Sequence, residues 1–209
     1  YDQRGFGRSP CKKDDFNAET LAPDIAAILD AIGIERAALI SQSMGGISAM
    51  RFARDYPGRT AGLIVGSSLA GITPKDIRGR LAERERANTV TLPDRAFAPG
   101  YSAREPLLYE LYKQILAFNT CFDPAWRSRI AGSAASFGAE DFDSYAVPTT
   151  FIVGAHDQFF PPSFVHEVAA WVPGATVIDI PDAGHSPYWE TPDLFNEIVL
   201  NWLGANAVW

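Results

Sequence analysis

The sequence predicts an α/β protein: a mostly parallel sheet covered by helices, with a helical segment inserted between two of its strands. Three observations carry this. Short apolar runs alternate with segments whose apolar residues recur at helical spacing. Those runs are apolar at consecutive positions, the pattern of strands buried on both faces. From Ile72 to Ala146 the alternation stops, and no strand signal interrupts it. A length of 209 residues with 47% hydrophobic and 21% charged residues suits one packed domain carrying an insertion.

Each element has its own signal. Leu21, Ile25, Ile28, Leu29 and Ile32 stand at helical spacing, and Gly33 ends that helix. Ala37-Ala38-Leu39-Ile40 is too short for a helix and reads as a buried strand. Ser41 to Gly46 form a small-residue turn, Ile47 to Tyr56 a helix, and Pro57-Gly58 its stop. Ala61 to Val65 make a second buried strand, closed by Gly66-Ser67-Ser68. The insertion holds Arg78, Arg80, Arg84 and Arg86 mixed with acids, then Leu107 to Leu116 at helical spacing, then Trp126, Phe137 and Phe142. Thr149–Val153 and Thr176–Ile180 are further strands, with helices at Ser163–Trp171 and Leu194–Leu203. These elements divide the chain into a core of residues 1–71 and 147–209 around a helical insertion, 72–146.

Composition excludes several functions. A net charge of −7 argues against a non-specific binder of nucleic acid, which wants a basic face for the phosphates. No apolar run reaches about 18 residues, so no membrane helix is expected. Cys11 and Cys121 fit no metal or redox spacing, and they do not discriminate between compartments, with the cytoplasm as the default. The chain opens on Tyr1-Asp2 with no initiator or targeting segment, so the expectation is the back part of a longer or processed chain.

Three short stretches carry chemistry. In Ser41-Gln42-Ser43-Met44-Gly45-Gly46, Ser43 lies on a turn from strand to helix, where small flanking residues let the hydroxyl project at the sheet's C-terminal edge. The competing role for Ser43 is a helix N-cap. Asp157 comes after the strand Thr149–Val153, where parallel sheets present working residues, and it could equally cap a turn before Pro161. His185 succeeds Gly184 after the strand Thr176–Ile180. Of the three histidines, His166 falls inside a helix and His156 adjoins Asp157 with diverging side chains, so His185 is the credible base. Nucleophile, acid and base in the order Ser, Asp, His, each after a buried strand, is the order expected of α/β-hydrolases.

The sequence resembles the α/β-hydrolase fold with a helical cap. Asp2-Gln3-Arg4-Gly5-Phe6-Gly7-Arg8-Ser9 is similar to the family's D-x-R-G-x-G-x-S stretch. Ser41–Gly46 resembles its nucleophile elbow, Gly154–Asp157 its acid turn and Gly184-His185 its histidine loop. Ser41 departs from the glycine usual at that flank. The resemblance implies a Ser43 nucleophile, a His185 base and an Asp157 orienting acid. It argues against the dehalogenase and epoxide hydrolase branches, which carry aspartate at the nucleophile position. It also implies an oxyanion hole with the Met44 main-chain N–H as one donor. The second donor, from a His-Gly stretch after an earlier strand, is not in this chain; early strands of the sheet are expected to be missing with it, and Tyr1-Asp2 is expected to be the tail of one of them.

The implied activity is hydrolysis of a small carboxylic ester or lactone through an acyl-enzyme. The alternatives are C–C hydrolysis of ring-cleavage dienoates, since Gly184–Glu190 with Phe195-Asn196 resembles meta-cleavage-product hydrolases and enol-lactonases, and a ligand-binding relative with negligible turnover. No cofactor or metal is expected, a small molecule is the expected partner, and homo-oligomerisation stays open. Substrate-binding residues are unassigned. Leu107, Leu108, Leu111, Ile115, Phe118, Phe122 and Trp126 are expected mostly to pack the cap onto the core, and the arginine cluster to be solvated.

Overall fold

Four strands, β1 (Ala37–Gln42), β2 (Thr60–Gly66), β3 (Thr149–Gly154) and β4 (Thr176–Ile180), form one sheet in that order with every pair parallel. The computed structural model describes residues 1–119, 125 and 136–206. The predicted strand positions agree with these to within a residue or two. Helices α1 (Ala18–Ala31) and α2 (Gly45–Asp55) flank β1 in sequence, and α3 (Lys75–Ala87), α4 (Leu92–Arg95), α5 (Tyr101–Arg104) and α6 (Pro106–Ala117) stand between β2 and β3. Then α7 (Pro162–Ala169) joins β3 to β4, and α8 (Pro187–Glu190) and α9 (Pro192–Ala205) come last.

Successive strand side chains point to opposite faces. Leu63 and Val65 of β2, with Phe151 and Val153 of β3, meet Ala49, Met50 and Ala53 of α2 and Phe164, Val165 and Val168 of α7. The intervening Ile64 and Ile152 face the other way, onto Phe195 and Val199 of α9. Helix α1 lies outside α2, packing Ala22, Ile25 and Leu29 around Phe52. It starts before the first periodic residue, Leu21, because the Asn17 side chain accepts from Thr20 N at 3.1 Å and caps it.

Three expectations need correction. β1 is not fully buried: Ile40 is 51% exposed. Its side chain falls outside the cluster that α9 builds on Ile64, Ile152 and Ile180, and β1 has no strand on its outer side among the described residues. Tyr1-Asp2 belong to no strand; residues 3–9 form tight turns closed by a Phe6–Ser9 bridge. Arg4 ties these turns to α1 through Asp24, and Gln3 accepts from Ser48 of α2 at 2.6 Å.

The third correction concerns the cap. Helix α6 buries no residue, and Leu107 is 85% exposed. Where α6 nears the core the contact runs through rings: Phe97 and Tyr101, with Ala96, are buried with Tyr109, Tyr112 and Trp189 around them. Aromatic side chains bury more area per residue than leucine and can do this from one helix edge. Phe122 and Trp126, like Cys121, lie outside the described residues. Arg78, Arg80, Arg84 and Arg86 are exposed on α3, and Arg80 also reaches Glu167 of α7 at 2.6 Å. No described helix is long and apolar enough to cross a membrane.

Candidate active site

The end of β1 sets the first residue. Ser43 has φ of +51°, a left-handed conformation rare for a residue with a Cβ. Its N–H is anchored on Gly66 O at 2.8 Å, so the chain reverses sharply from β1 into α2 and the hydroxyl projects at the strands' C-terminal edge. The tight contact that permits this turn is at Gly46, where a Cβ would lie 2.6 Å from Ser68 Oγ. Gly45, the small flank that the sequence pattern points to, meets only Ser41 Cβ at 3.8 Å. Ser43 does not cap α2, which has no side-chain cap. Its Oγ pairs instead with His185 Nε2 at 2.9 Å.

His185 is 8% exposed, and its other ring nitrogen, Nδ1, lies 2.9 Å from Asp157 Oδ2. A carboxylate only accepts, so Nδ1 carries the proton and Nε2 is left to accept from the serine hydroxyl. Asp157 plays both parts that the sequence suggests for it, with different atoms. Its Oδ1 accepts from Phe159 N at 2.8 Å and Phe160 N at 2.9 Å, closing the turn, while Oδ2 faces the imidazole. The Phe159 ring sits 4.5 Å from the His185 ring, centroid to centroid, and Phe160 5.8 Å away, so apolar surface excludes water from the pair. His156 is elsewhere: its side chain is exposed, and only its backbone N–H reaches Ala183 O. His166 faces Asp179 on the surface at 3.0 Å.

Other residues of the site lie within or beside these motifs, but nothing in the sequence assigns them a role. Gln42, beside Ser43, donates through Nε2 to His185 O. Gln158, beside Asp157, donates to Phe97 O of the cap at 3.1 Å. Glu190 accepts from Gly184 N at 2.6 Å and from Ala98 N at 2.8 Å. Burial pushes its carboxyl above the usual range, against the opposing pull of backbone N–H groups from Ala98, Gly184 and Ser186. At the head of α2, Gly46 N bonds Ser43 O and Ile47 N bonds Met44 O, so the helix-forming bonds begin after Met44. The Met44 N–H therefore stands at the positive end of the helix beside Ser43.

A parallel α/β sheet with a serine on its strand-to-helix turn and a histidine–carboxylate pair at neighbouring strand ends defines a hydrolase-type α/β protein. The alpha/beta hydrolase fold family matches residues 1–192, and the chain belongs to that family. A Pseudomonas 2-hydroxy-6-oxononadienedioate/2-hydroxy-6-oxononatrienedioate hydrolase is 27% identical over 97% of this chain and 75% of its own length. Among solved structures, a thermophilic esterase from Thermogutta terrifontis, in a malate-bound form, superposes with a TM-score of 0.78 at 27% identity, covering 98% of this chain and 78% of that one. The enol-lactonase from Burkholderia xenovorans superposes with a TM-score of 0.77 at 25% identity, over 98% of this chain and 79% of that one.

Proposed function

We propose that Ser43, His185 and Asp157 form a catalytic triad that hydrolyses a small carboxylic ester or lactone through an acyl-enzyme. The observation that carries this is the unbroken hydrogen-bonded path Asp157–His185–Ser43, with 2.9 Å at each step and the serine held at positive φ. A serine hydroxyl is a poor nucleophile until a base takes its proton during attack. His185 Nε2 takes it as Oγ bonds the carbonyl carbon, and the carbonyl π electrons move onto oxygen. The Met44 N–H donates to that oxyanion. Collapse breaks the bond to the alkoxy group, which leaves with the proton from Nε2. Water then repeats the sequence on the acyl-serine and restores the hydroxyl. Asp157 keeps the ring in one tautomer and stabilises the imidazolium throughout.

The cap of this enzyme is residues 72–146, between core segments 1–71 and 147–209. Its two ends are woven into the core, since Ile72, Ile77, Phe137, Phe142 and Tyr145 belong to the main apolar cluster. A second reading is favoured by the Pseudomonas relative, which is named as a hydrolase of a dienedioate and a trienedioate: on a ring-cleavage dienoate the same triad of this chain would cleave a carbon–carbon bond. A third is a binding protein that turns over nothing. The test is a panel of p-nitrophenyl esters, lactones and coloured dienoates, with organophosphate labelling read by tryptic mass spectrometry. The adduct is expected on Ser43, and ester hydrolysis is expected to vanish in Ser43→Ala. An adduct on Ser41 or Ser67, or turnover that survives Ser43→Ala, overturns the assignment. Dienoate decay without ester hydrolysis selects the second reading. Ligand-dependent thermal shifts without any turnover select the third.

A further inference from the structure

One peptide group of the cap is gripped from both sides by the loops that carry His185 and Asp157. The carbonyl of Phe97 accepts from Gln158 Nε2 at 3.1 Å, and Gln158 adjoins Asp157. The N–H of the same peptide, on Ala98, donates to Glu190 Oε2 at 2.8 Å. The other oxygen of that carboxylate takes the N–H of Gly184 at 2.6 Å, one residue before His185. Between these two bonds the peptide lies flat against Gly184, where a Cβ would fall 2.3 Å from both Phe97 C and Ala98 N. Gly184 is in turn pressed onto the acid turn: a Cβ on Gly154 would fall 2.0 Å from Gly184 O. A third tie joins the same cap segment to the pair, because the Arg95 guanidinium lies 4.1 Å from the Phe159 ring that covers His185.

We propose that Glu190 and Gln158 are positioning residues that clamp the Phe97–Ala98 peptide, so that the seated cap fixes the mutual geometry of His185 and Asp157. The inference rests on the triad reading above, and it deepens it. Apart from the His185–Asp157 pair and the two phenylalanine rings against it, the histidine loop and the acid turn meet through backbone among the described residues, with His156 N on Ala183 O at 2.9 Å and Ala155 N on Ile180 O at 2.9 Å. Those bonds set the spacing of the two strand ends. With Gln42 on His185 O as the further bond, Gly184–Ser186 can still tilt about that point, and tilt decides whether Nδ1 and Nε2 can meet Asp157 and Ser43 together. A carboxylate that accepts from Gly184 N and from the cap at once removes that freedom. Its two oxygens suit two converging N–H groups in a way an amide cannot. In Glu190→Gln the NH₂ must face one of the two donors, so one bond is lost and two donors oppose each other.

The test uses two variants and two readouts. Glu190→Gln opens the clamp from the histidine side, and Gln158→Met opens it from the acid side without removing bulk. The first readout is steady-state hydrolysis of p-nitrophenyl butyrate. Since small misplacement of a catalytic group costs up to about a hundredfold, each variant should lose about ten- to a hundredfold in kcat while KM moves less than about threefold. Because both residues hold one peptide, the double variant should lose less than the product of the single losses. The second readout is the downfield NMR resonance of the His185 Nδ1 proton, which does not require turnover. It should broaden or shift in both variants while the methyl dispersion of the core is kept. If Glu190→Gln does not fold, Gln158→Met carries the test alone. A folded variant with both kcat and the resonance of the wild type overturns the clamp and leaves the triad standing. A wild type that hydrolyses nothing, with a resonance that is nevertheless lost in Glu190→Gln, overturns the triad reading and supports the clamp.

Discussion

Gly184→Ala tests the closest backbone approach near the site. The new Cβ would stand 2.3 Å from both Ala98 N and Phe97 C, and both of those are main-chain atoms that no rotamer change can move. Ordinary contact between carbon atoms is about 3.5–4.0 Å, so the two segments must part by more than about 1 Å. Two segments can yield. If the histidine loop retreats, the 2.9 Å contact between His185 Nε2 and Ser43 Oγ opens. A shift of that size costs about a hundredfold in kcat. If the cap retreats, the 2.8 Å bond from Ala98 N to Glu190 breaks and the clamp is lost, so kcat falls about ten- to a hundredfold as in Glu190→Gln, and adding Glu190→Gln costs little more. In either case overpacking costs about 1–3 kcal/mol, which lowers the melting temperature of a chain this size by about 3–10 °C. Steady-state kinetics on p-nitrophenyl butyrate for Gly184→Ala alone and combined with Glu190→Gln, beside thermal unfolding, separates the two routes. A variant with wild-type kcat/KM and an unchanged melting temperature would refute the tight approach, and with it the reasoning that joins cap to histidine loop.

Three further outcomes are expected. Ser43→Ala and His185→Ala should each lower kcat by about three or more orders of magnitude, and the double variant by little more, because nucleophile and base act as one unit; independent, multiplying losses would contradict that. His156→Gln should leave kcat/KM within about twofold, since surface changes away from the chemistry are usually near neutral and its side chain is exposed; a loss like that of His185→Ala would show the wrong histidine was assigned. Burial raises the Glu190 carboxyl above its ordinary value, so the native state holds that proton more firmly than the unfolded chain. Its ionisation therefore removes stability as pH rises from the ordinary carboxyl range through the raised value. The stability of wild type minus that of Glu190→Gln, measured in urea at several pH values, should fall across that window. A difference that is flat or rises would remove burial as the dominant influence on this carboxyl.

The residues that are legible in the sequence share a physical reason. Ser43, Asp157 and His185 each come just after an apolar run, and a parallel sheet gathers the residues beyond its strand ends at one edge. Chain order and strand position are therefore enough to bring them together before any distance is known. Ile40 is not legible in the same way, because the burial of a strand residue depends on the element packed over it. The run Ala37–Ile40 is as apolar as Ala61–Val65, yet α9 reaches Ile64 and not Ile40. Leu107 and Phe118 mislead for a related reason: helical spacing marks an apolar face without saying what packs on it.

Glu190 and Gln158 are invisible for a different reason. Their partners are main-chain atoms of Phe97 and Ala98, far away in sequence, and every residue type but proline presents the same N–H and C=O. A motif encodes side chains, so a bond from a side chain to distant backbone leaves its trace at one end only. The one hint is Gly184, which in sequence is only the residue before the histidine, and whose real constraint is the cap peptide lying on it. Asp157 adds the converse. Turn-capping and histidine-orienting look like rival roles for one residue, but a carboxylate has two oxygens, and Oδ1 closes the turn while Oδ2 faces His185. The turn is what holds Oδ2 in place, so the plainer role is the means by which the chemical one is met. Rival readings of a residue exclude one another only when they compete for the same atom.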